Sequence, residues 1–109
     1  MKLIKCIIRP NKVDEVRDAL EKASVSGMTI TEVRGHGQQK GHKAVYRGRE
    51  YDVSLLPKTM IEMAVSDDVV KEVVDVVMKT ARTGDIGDGR IWVLTIEEGY
   101  NIRTAARDM

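Results

Sequence analysis

The stretch Val69-Val70-Lys71-Glu72-Val73-Val74-Asp75-Val76-Val77-Met78-Lys79-Thr80-Ala81 decides the fold. Valine is a weak helix former and a strong strand former, so propensity alone points to a strand. The spacing points the other way. Val69, Val70, Val73, Val74, Val77 and Ala81 recur every three to four residues, while Lys71, Glu72 and Asp75 fall on the opposite stripe. That period predicts an amphipathic helix.

Working outward, Ser66, Asp67 and Asp68 are placed to cap this helix. Thr59 to Val65 reads as the strand before it, with Pro57 at or before that strand's start because proline cannot donate to a ladder. A Gly-rich turn, Thr83 to Gly89, leads into a strand from Ile91 to Ile96. At the other end, Leu3 to Ile8 reads as a buried strand that Pro10 ends. Asn11 is an expected N-cap for a helix carrying Val13, Val16, Ala19, Leu20 and Ala23, with Asp14 and Glu15 in the dipole-favoured first turn. Ser24 to Gly27 is a turn, and Met28 to Arg34 a strand rich in β-branched residues. Gly35 to Lys58 shows neither periodicity and reads as a long loop; such loops are usually functional. The tail from Glu97 to Met109 is polar, with short-range order at most.

The order is β-α-β-β-α-β, an α+β, ferredoxin-like sandwich in which a four-stranded antiparallel sheet carries both helices on one face. Alternation sets Ile61, Met63 and Val65 against Met60, Glu62 and Ala64 in the third strand, and Ile91 and Val93 against Trp92, Leu94 and Ile96 in the fourth. Both faces are mostly apolar, so the uncovered one is expected to meet another subunit.

The 109 residues fit one domain. A net charge of +1 gives no global field toward nucleic acid or anionic lipid. No run approaches bilayer-spanning length and no signal-peptide pattern is present, so a cytoplasmic location is expected. Cys6 is the single cysteine, which excludes a disulfide framework and a thiolate metal cluster. Phenylalanine is absent, so Val, Ile, Leu, Met and Ala must build the core.

Three stretches carry chemistry. In Thr83-Gly84-Asp85-Ile86-Gly87-Asp88-Gly89-Arg90 the glycines allow backbone N–H groups to turn inward as an anion nest, with Thr83, Arg82 and Arg90 as further donors. This suits a polyphosphate, although it lacks a Walker lysine and follows a helix. A glycine C′ cap is the alternative explanation of Gly84. In Gly35-His36-Gly37-Gln38-Gln39-Lys40-Gly41, small residues allow close backbone approach and Gln39 offers an amide oxygen to a hard cation. Lys58, across the loop, can bind a carboxylate as a point charge. His36 and His42 lack a third ligand, which argues against zinc. Tyr46-Arg47-Gly48-Arg49-Glu50-Tyr51 combines tyrosines and arginines as a protein-recognition tip does.

These motifs together resemble the PII nitrogen-regulatory signal-transduction family. The resemblance runs over nearly the whole chain and is carried by Met1-Lys2-Leu3-Ile4, Arg9-Pro10, Gly27-Met28-Thr29, Gly41-His42, Tyr46-Arg47-Gly48, Leu56-Pro57-Lys58 and, most specifically, Thr83-Gly84-Asp85-Ile86-Gly87-Asp88-Gly89-Arg90-Ile91-Trp92. It implies a homotrimer with nucleotide sites in the clefts between subunits, a T-loop at about 37–55, a B-loop at about 82–90 and a C-terminal loop at about 97–109. It implies ATP or ADP held by Thr83, Gly87, Asp88, Gly89 and Arg90, with Ile7, Thr29, Glu62 and Ala64 around the adenine. Gly35, Gly37 and Gln38 would complete the cleft, and Arg103 would arrive from a neighbouring subunit. With Mg2+ and ATP it implies 2-oxoglutarate near Gln39, Lys40, Gly41, Lys58 and Gly87, Gln39 also binding the metal. Tyr51 matches the family's nucleotidylated tyrosine. Tyr46, Arg47, Arg49 and Tyr51 match its target-binding tip, the target being an ammonium transporter or a nitrogen-metabolism enzyme, with membrane contact only through such a transporter. Gln38 and Asn101 stand where the family often has arginine, and Arg49 stands where it often has a small residue.

The expected function is therefore a nitrogen and energy sensor rather than an enzyme, since no nucleophile, and no evident base except Asp85 and Asp88, accompanies the Gly-rich turn. An adenylate-ratio sensor without a 2-oxoglutarate response is the alternative. An RNA-binding module of the same strand order is a third reading, but its central strands would need aromatics, and here they carry Ile, Cys and Met.

Overall fold

The computed structural model describes residues 1–36 and 55–109, together with the backbone of 43–46 and 49–52. The strands are β1 (Lys2–Ile8), β2 (Thr29–Gly35), β3 (Lys43–Tyr46), β4 (Arg49–Asp52), β5 (Leu56–Val65), β6 (Gly89–Thr95), β7 (Tyr100–Asn101) and β8 (Ala106–Arg107); the helices are α1 (Val13–Lys22) and α2 (Val70–Ala81). The main sheet is antiparallel in the order β2-β5-β1-β6, with β1 and β5 central. This is the ferredoxin-like α+β fold expected from the sequence.

The period of 3.6 prevails over valine's strand preference in α2 because of where the valines go. Each costs roughly 0.5 kcal/mol relative to alanine in a helix. Val73 and Val77 are fully covered, and each such burial contributes about 1.5 kcal/mol or more. Ile4, Cys6, Ile8, Ile61 and Met63 meet them from the sheet, and Val16 and Leu20 from α1, in one core. Burial pushes the Cys6 thiol up to about 11, so it stays protonated and serves as a small apolar side chain.

The expected caps are not made. Pro10–Lys12 and Asp67–Val69 each form a 3-10 turn ahead of the α-helix, and neither Asn11 nor Ser66 accepts a backbone amide as a side-chain cap. The first turns are satisfied by backbone tightening instead, and Asp67 pairs with the N-terminal ammonium at 3.0 Å. At its other end α1 closes with Ser24 in the left-handed region, φ 67°. The amide of Ser24 bonds the Glu21 carbonyl and that of Val25 bonds the Leu20 carbonyl, a Schellman pattern without its usual glycine.

Two further expectations are corrected. Pro57 lies inside β5, opposite Arg34 of β2. It is tolerated because the β1 pairing of β5 begins only at Thr59, leaving one side of the strand at Pro57 without a β1 partner. The long loop is also not structureless throughout: β3 and β4 pair antiparallel, Lys43 with Asp52 through Tyr46 with Arg49.

Alternation puts Ile4, Cys6, Ile8, Ile61 and Met63 under the helices. Leu3, Lys5, Ile7, Met60, Glu62 and Ala64 lie on the open face, where β6 adds Arg90, Trp92 and Leu94. On that face Lys5 and Glu62 pair at 3.8 Å, and the Arg90 guanidinium stands 5.8 Å from the Trp92 ring centroid. No helix among the described residues is long and apolar enough to cross a membrane.

Candidate functional site

The connection from α2 to β6 forms the site. α2 ends at Ala81 with Arg82 as an extended C-cap, so Gly84 is one residue too late to be the C′ glycine. Its positive φ of 94° belongs to the loop itself, which also holds Gly87 at 100° and Gly89 at 114°. The carboxylate of Asp88 organises the loop from inside. It accepts the amides of Thr83 and Gly84, each at 2.8 Å, and the Thr83 hydroxyl. Thr83 Oγ1 in turn accepts the Asp85 amide.

The sheet end grips this loop with two cations. Arg9 follows β1, and Pro10 behind it favours an extended backbone there, as found (φ −64°, ψ 139°). Its Nε donates to Asp88 Oδ1 at 3.0 Å and its Nη2 to the Ile86 carbonyl at 3.0 Å. Lys58 of β5 donates to the Gly87 carbonyl. The stem of Lys58 runs beside Gly35 of β2, where an added Cβ would already be 3.4 Å from Lys58 Cγ.

The hydroxyl of Thr83 is the main reason the Asp88 carboxyl is held well below the usual carboxylate range, with the Thr83 and Gly84 amides and Arg9 adding to it against a smaller desolvation cost. Burial lowers Lys58, as does nearby Arg9, while Asp88 opposes both. A carboxyl whose ionised form is favoured by folding adds stability above its unfolded value, near pH 4, and loses it only as the pH falls through the lower folded value. In a carboxyl-carbon NMR titration Asp88 is therefore expected to stay ionised through pH 4, where free carboxyls titrate; a midpoint near 4 would show that the loop bonds are not held in solution.

What the loop leaves unbonded is backbone. Among the described residues the amides of Ile86 and Gly87 have no acceptor. With Arg9 and Lys58 bonded to the same loop and Arg90 following it in sequence, they form a donor set suited to anionic oxygens. The open sheet face continues from it: Arg90 pairs in register with Ile7, and Glu62 with Thr29, so Ile7, Thr29, Glu62 and Arg90 share that face with Ala64.

The family model described as nitrogen regulatory protein P-II matches residues 1–106. The chain belongs to the P-II family. It is similar to nitrogen regulatory protein P-II of Klebsiella oxytoca, with 51% identity over 108 residues, 99% of this chain and 96% of that protein. Nitrogen regulatory protein P-II 1 of Escherichia coli (strain K12) gives the same figures, and the Rhizobium etli protein 49% over the same length. Relatives covered end to end are thus named as regulators.

On this P-II chain the residues expected from the sequence divide into four groups, the first being Ile7, Thr29, Glu62 and Ala64 on the open sheet face. Thr83, Gly87, Asp88, Gly89, Arg90 and Lys58 come together at the loop, with Gly35 beside Lys58. The Asp88 carboxylate and the Thr83 hydroxyl are spent on the loop's own shape rather than turned toward a ligand. Arg103 is exposed on the turn between β7 and β8 and makes no bond among the described residues, and Asn101 uses its Oδ1 to accept the Thr104 amide and shape that turn. Gly37, Gln38, Gln39, Lys40, Gly41 and Arg47 lie outside the described residues, and Tyr46, Arg49 and Tyr51 are placed only by backbone in β3 and β4. The residue missed by sequence reasoning is Arg9. Its signal was the basic residue fixed ahead of Pro10 at the end of a central strand.

Proposed function

We propose that this chain is a nitrogen and energy signal transducer. It binds ATP or ADP, and 2-oxoglutarate together with MgATP, in clefts between the subunits of a homotrimer. The bound ligand sets the shape of the 37–55 segment and thereby its docking on a target, an ammonium transporter or a nitrogen-metabolism enzyme. The observation that supports this reading is the loop at 83–89, whose Ile86 and Gly87 amides have no acceptor among the described residues, with Arg9 and Lys58 bonded to the loop and Arg90 following it.

The residues fit the ligands by chemistry. Phosphate oxygens need several donors and net positive charge; the glycine amides and Arg90 supply both. Magnesium takes phosphate oxygens with few protein ligands, so the single amide oxygen of Gln39 would suffice beside a bound nucleotide. Lys58 would meet the distal carboxylate of 2-oxoglutarate. Its ammonium is bonded to the Gly87 carbonyl, so a carboxylate that recruits it also acts on the loop. Any target that favours one shape of the segment must shift ligand affinity by the same factor. Tyr51 would be a nucleotidylation site, with Tyr46, Arg47 and Arg49 beside it at the docking tip.

Calorimetric titration of 2-oxoglutarate tests this. Saturable binding is expected only when MgATP is present. ATP binding with no 2-oxoglutarate response would instead leave an adenylate-ratio sensor, and no nucleotide binding would overturn the reading.

A further inference from the structure

We propose that Arg9 is the positioning residue of the nucleotide loop: it fixes the Ile86–Gly87 peptide plane through the Ile86 carbonyl and neutralises the Asp88 carboxylate that closes the loop, so that the Gly87 amide faces a phosphate. The inference rests on the nucleotide reading above and assigns to Arg9 a role of its own within it.

The argument is geometric. Every peptide bond among the described residues is trans. In a trans peptide the C=O and the following N–H point in opposite directions. Arg9 Nη2 holds the Ile86 carbonyl at 3.0 Å, which turns the Gly87 N–H away from the sheet end. Lys58 holds the next carbonyl, that of Gly87, which turns the Asp88 N–H away in the same manner. The Gly87 amide is without an acceptor among the described residues. Two cations from the sheet thus set the direction of two donors they do not touch.

Charge gives Arg9 a second task. The Asp88 carboxylate closes the loop by accepting the Thr83 and Gly84 amides, which places a negative charge inside an anion-receiving loop. Arg9 Nε neutralises it at 3.0 Å, and both partners are only about one-fifth exposed. Without Arg9 the loop would keep its internal carboxylate, lose its countercharge and lose one of the two carbonyl anchors. A lysine at this position would restore the charge but, as a compact ammonium on a flexible stem, would not span both acceptors as the planar guanidinium fork does.

The test is a double-mutant cycle read by ATP calorimetry on the full chain: wild type, Arg9→Met, Asp88→Asn and the double variant, with Arg9→Lys alongside and a ligand-free thermal midpoint for each. Arg9→Met is expected to weaken ATP binding about tenfold, and Arg9→Lys about threefold. The double variant is expected to lose less than the sum of the two single losses, since Arg9 acts partly through the carboxylate already removed and partly through the Ile86 carbonyl. Arg9→Lys guards against a folding artefact, because its midpoint should stay near that of the wild type. Wild-type ATP binding with Arg9→Met unchanged would overturn this inference alone. So would strictly additive losses, which belong to a direct phosphate ligand, and so would full affinity in Arg9→Lys. No ATP binding by the wild type would overturn both this inference and the reading beneath it.

Discussion

Gly89→Ala is expected to abolish measurable ATP binding and to lower the unfolding free energy by at least about 2 kcal/mol, the scale of a substitution that combines backbone strain with a backbone clash. Gly89 opens β6 opposite Ile8 at φ 114°. A Cβ built there would sit 1.7 Å from the Ile7 carbonyl oxygen and 2.8 Å from its carbon. No rotamer relieves that contact, because both atoms are backbone of the central strand β1. The strand start must therefore move, and it carries the Gly-rich loop at one end and Arg90 at the next residue. Gly84→Ala is the internal control. It also needs positive φ, but nothing lies within 4 Å of its Cβ, so only the conformational cost of about 1–2 kcal/mol applies. Urea unfolding and ATP calorimetry on both variants separate the two effects; equal losses would mean that the close approach to Ile7 is not what constrains this position.

The same contrast explains what the sequence could and could not reveal. Features written as periodic burial were legible: the 3.6 spacing of Val69 to Ala81 outweighed valine's propensity, and the alternation in Thr59 to Val65 and Ile91 to Ile96 gave both faces of the sheet. Features that depend on which competing bond wins were not. Asn11 and Ser66 have cap-forming side chains, yet 3-10 turns start both helices. The β3–β4 pairing was hidden because four-residue strands leave too few positions to show a period, although Gly48 between Tyr46 and Arg49 is a turn signal in its own right. At the site, the glycines and flanking cations were visible as an anion-binding composition. The inward use of Asp88 was not, because a carboxylate's partners depend on how the loop closes in space. Arg9 was missed for the reason that makes it interesting: its two acceptors, at positions 86 and 88, are nearly eighty residues away along the chain.

The remaining large effect concerns the open face of the sheet. If the proposed homotrimer forms through this face, Leu94→Asp is expected to reduce the sedimentation mass from three chains to one, and to remove the proposed ATP binding with it. In a single chain Leu94 is 44% exposed and lies in register with Leu3 of β1, on the face that also carries Ile7, Met60 and Trp92. If that face stayed in water, an exposed leucine could become aspartate at a cost within about 0.5 kcal/mol. If a second copy covers it, the aspartate becomes a buried charge without a partner in every interface of the ring, and each such charge costs about 3–5 kcal/mol. The two cases differ by far more than measurement error. Met78→Asp supplies the comparison: Met78 is more exposed, at 57%, but lies on α2, on the opposite side of the sheet, and should leave the mass unchanged. A wild type that sediments as one chain would refute assembly through this face. A monomeric Leu94→Asp that kept full ATP affinity would show that one chain holds the whole site. Loss of mass and loss of ATP together would mean that the loop's donors and the open face work as one cleft only when a neighbouring subunit closes it.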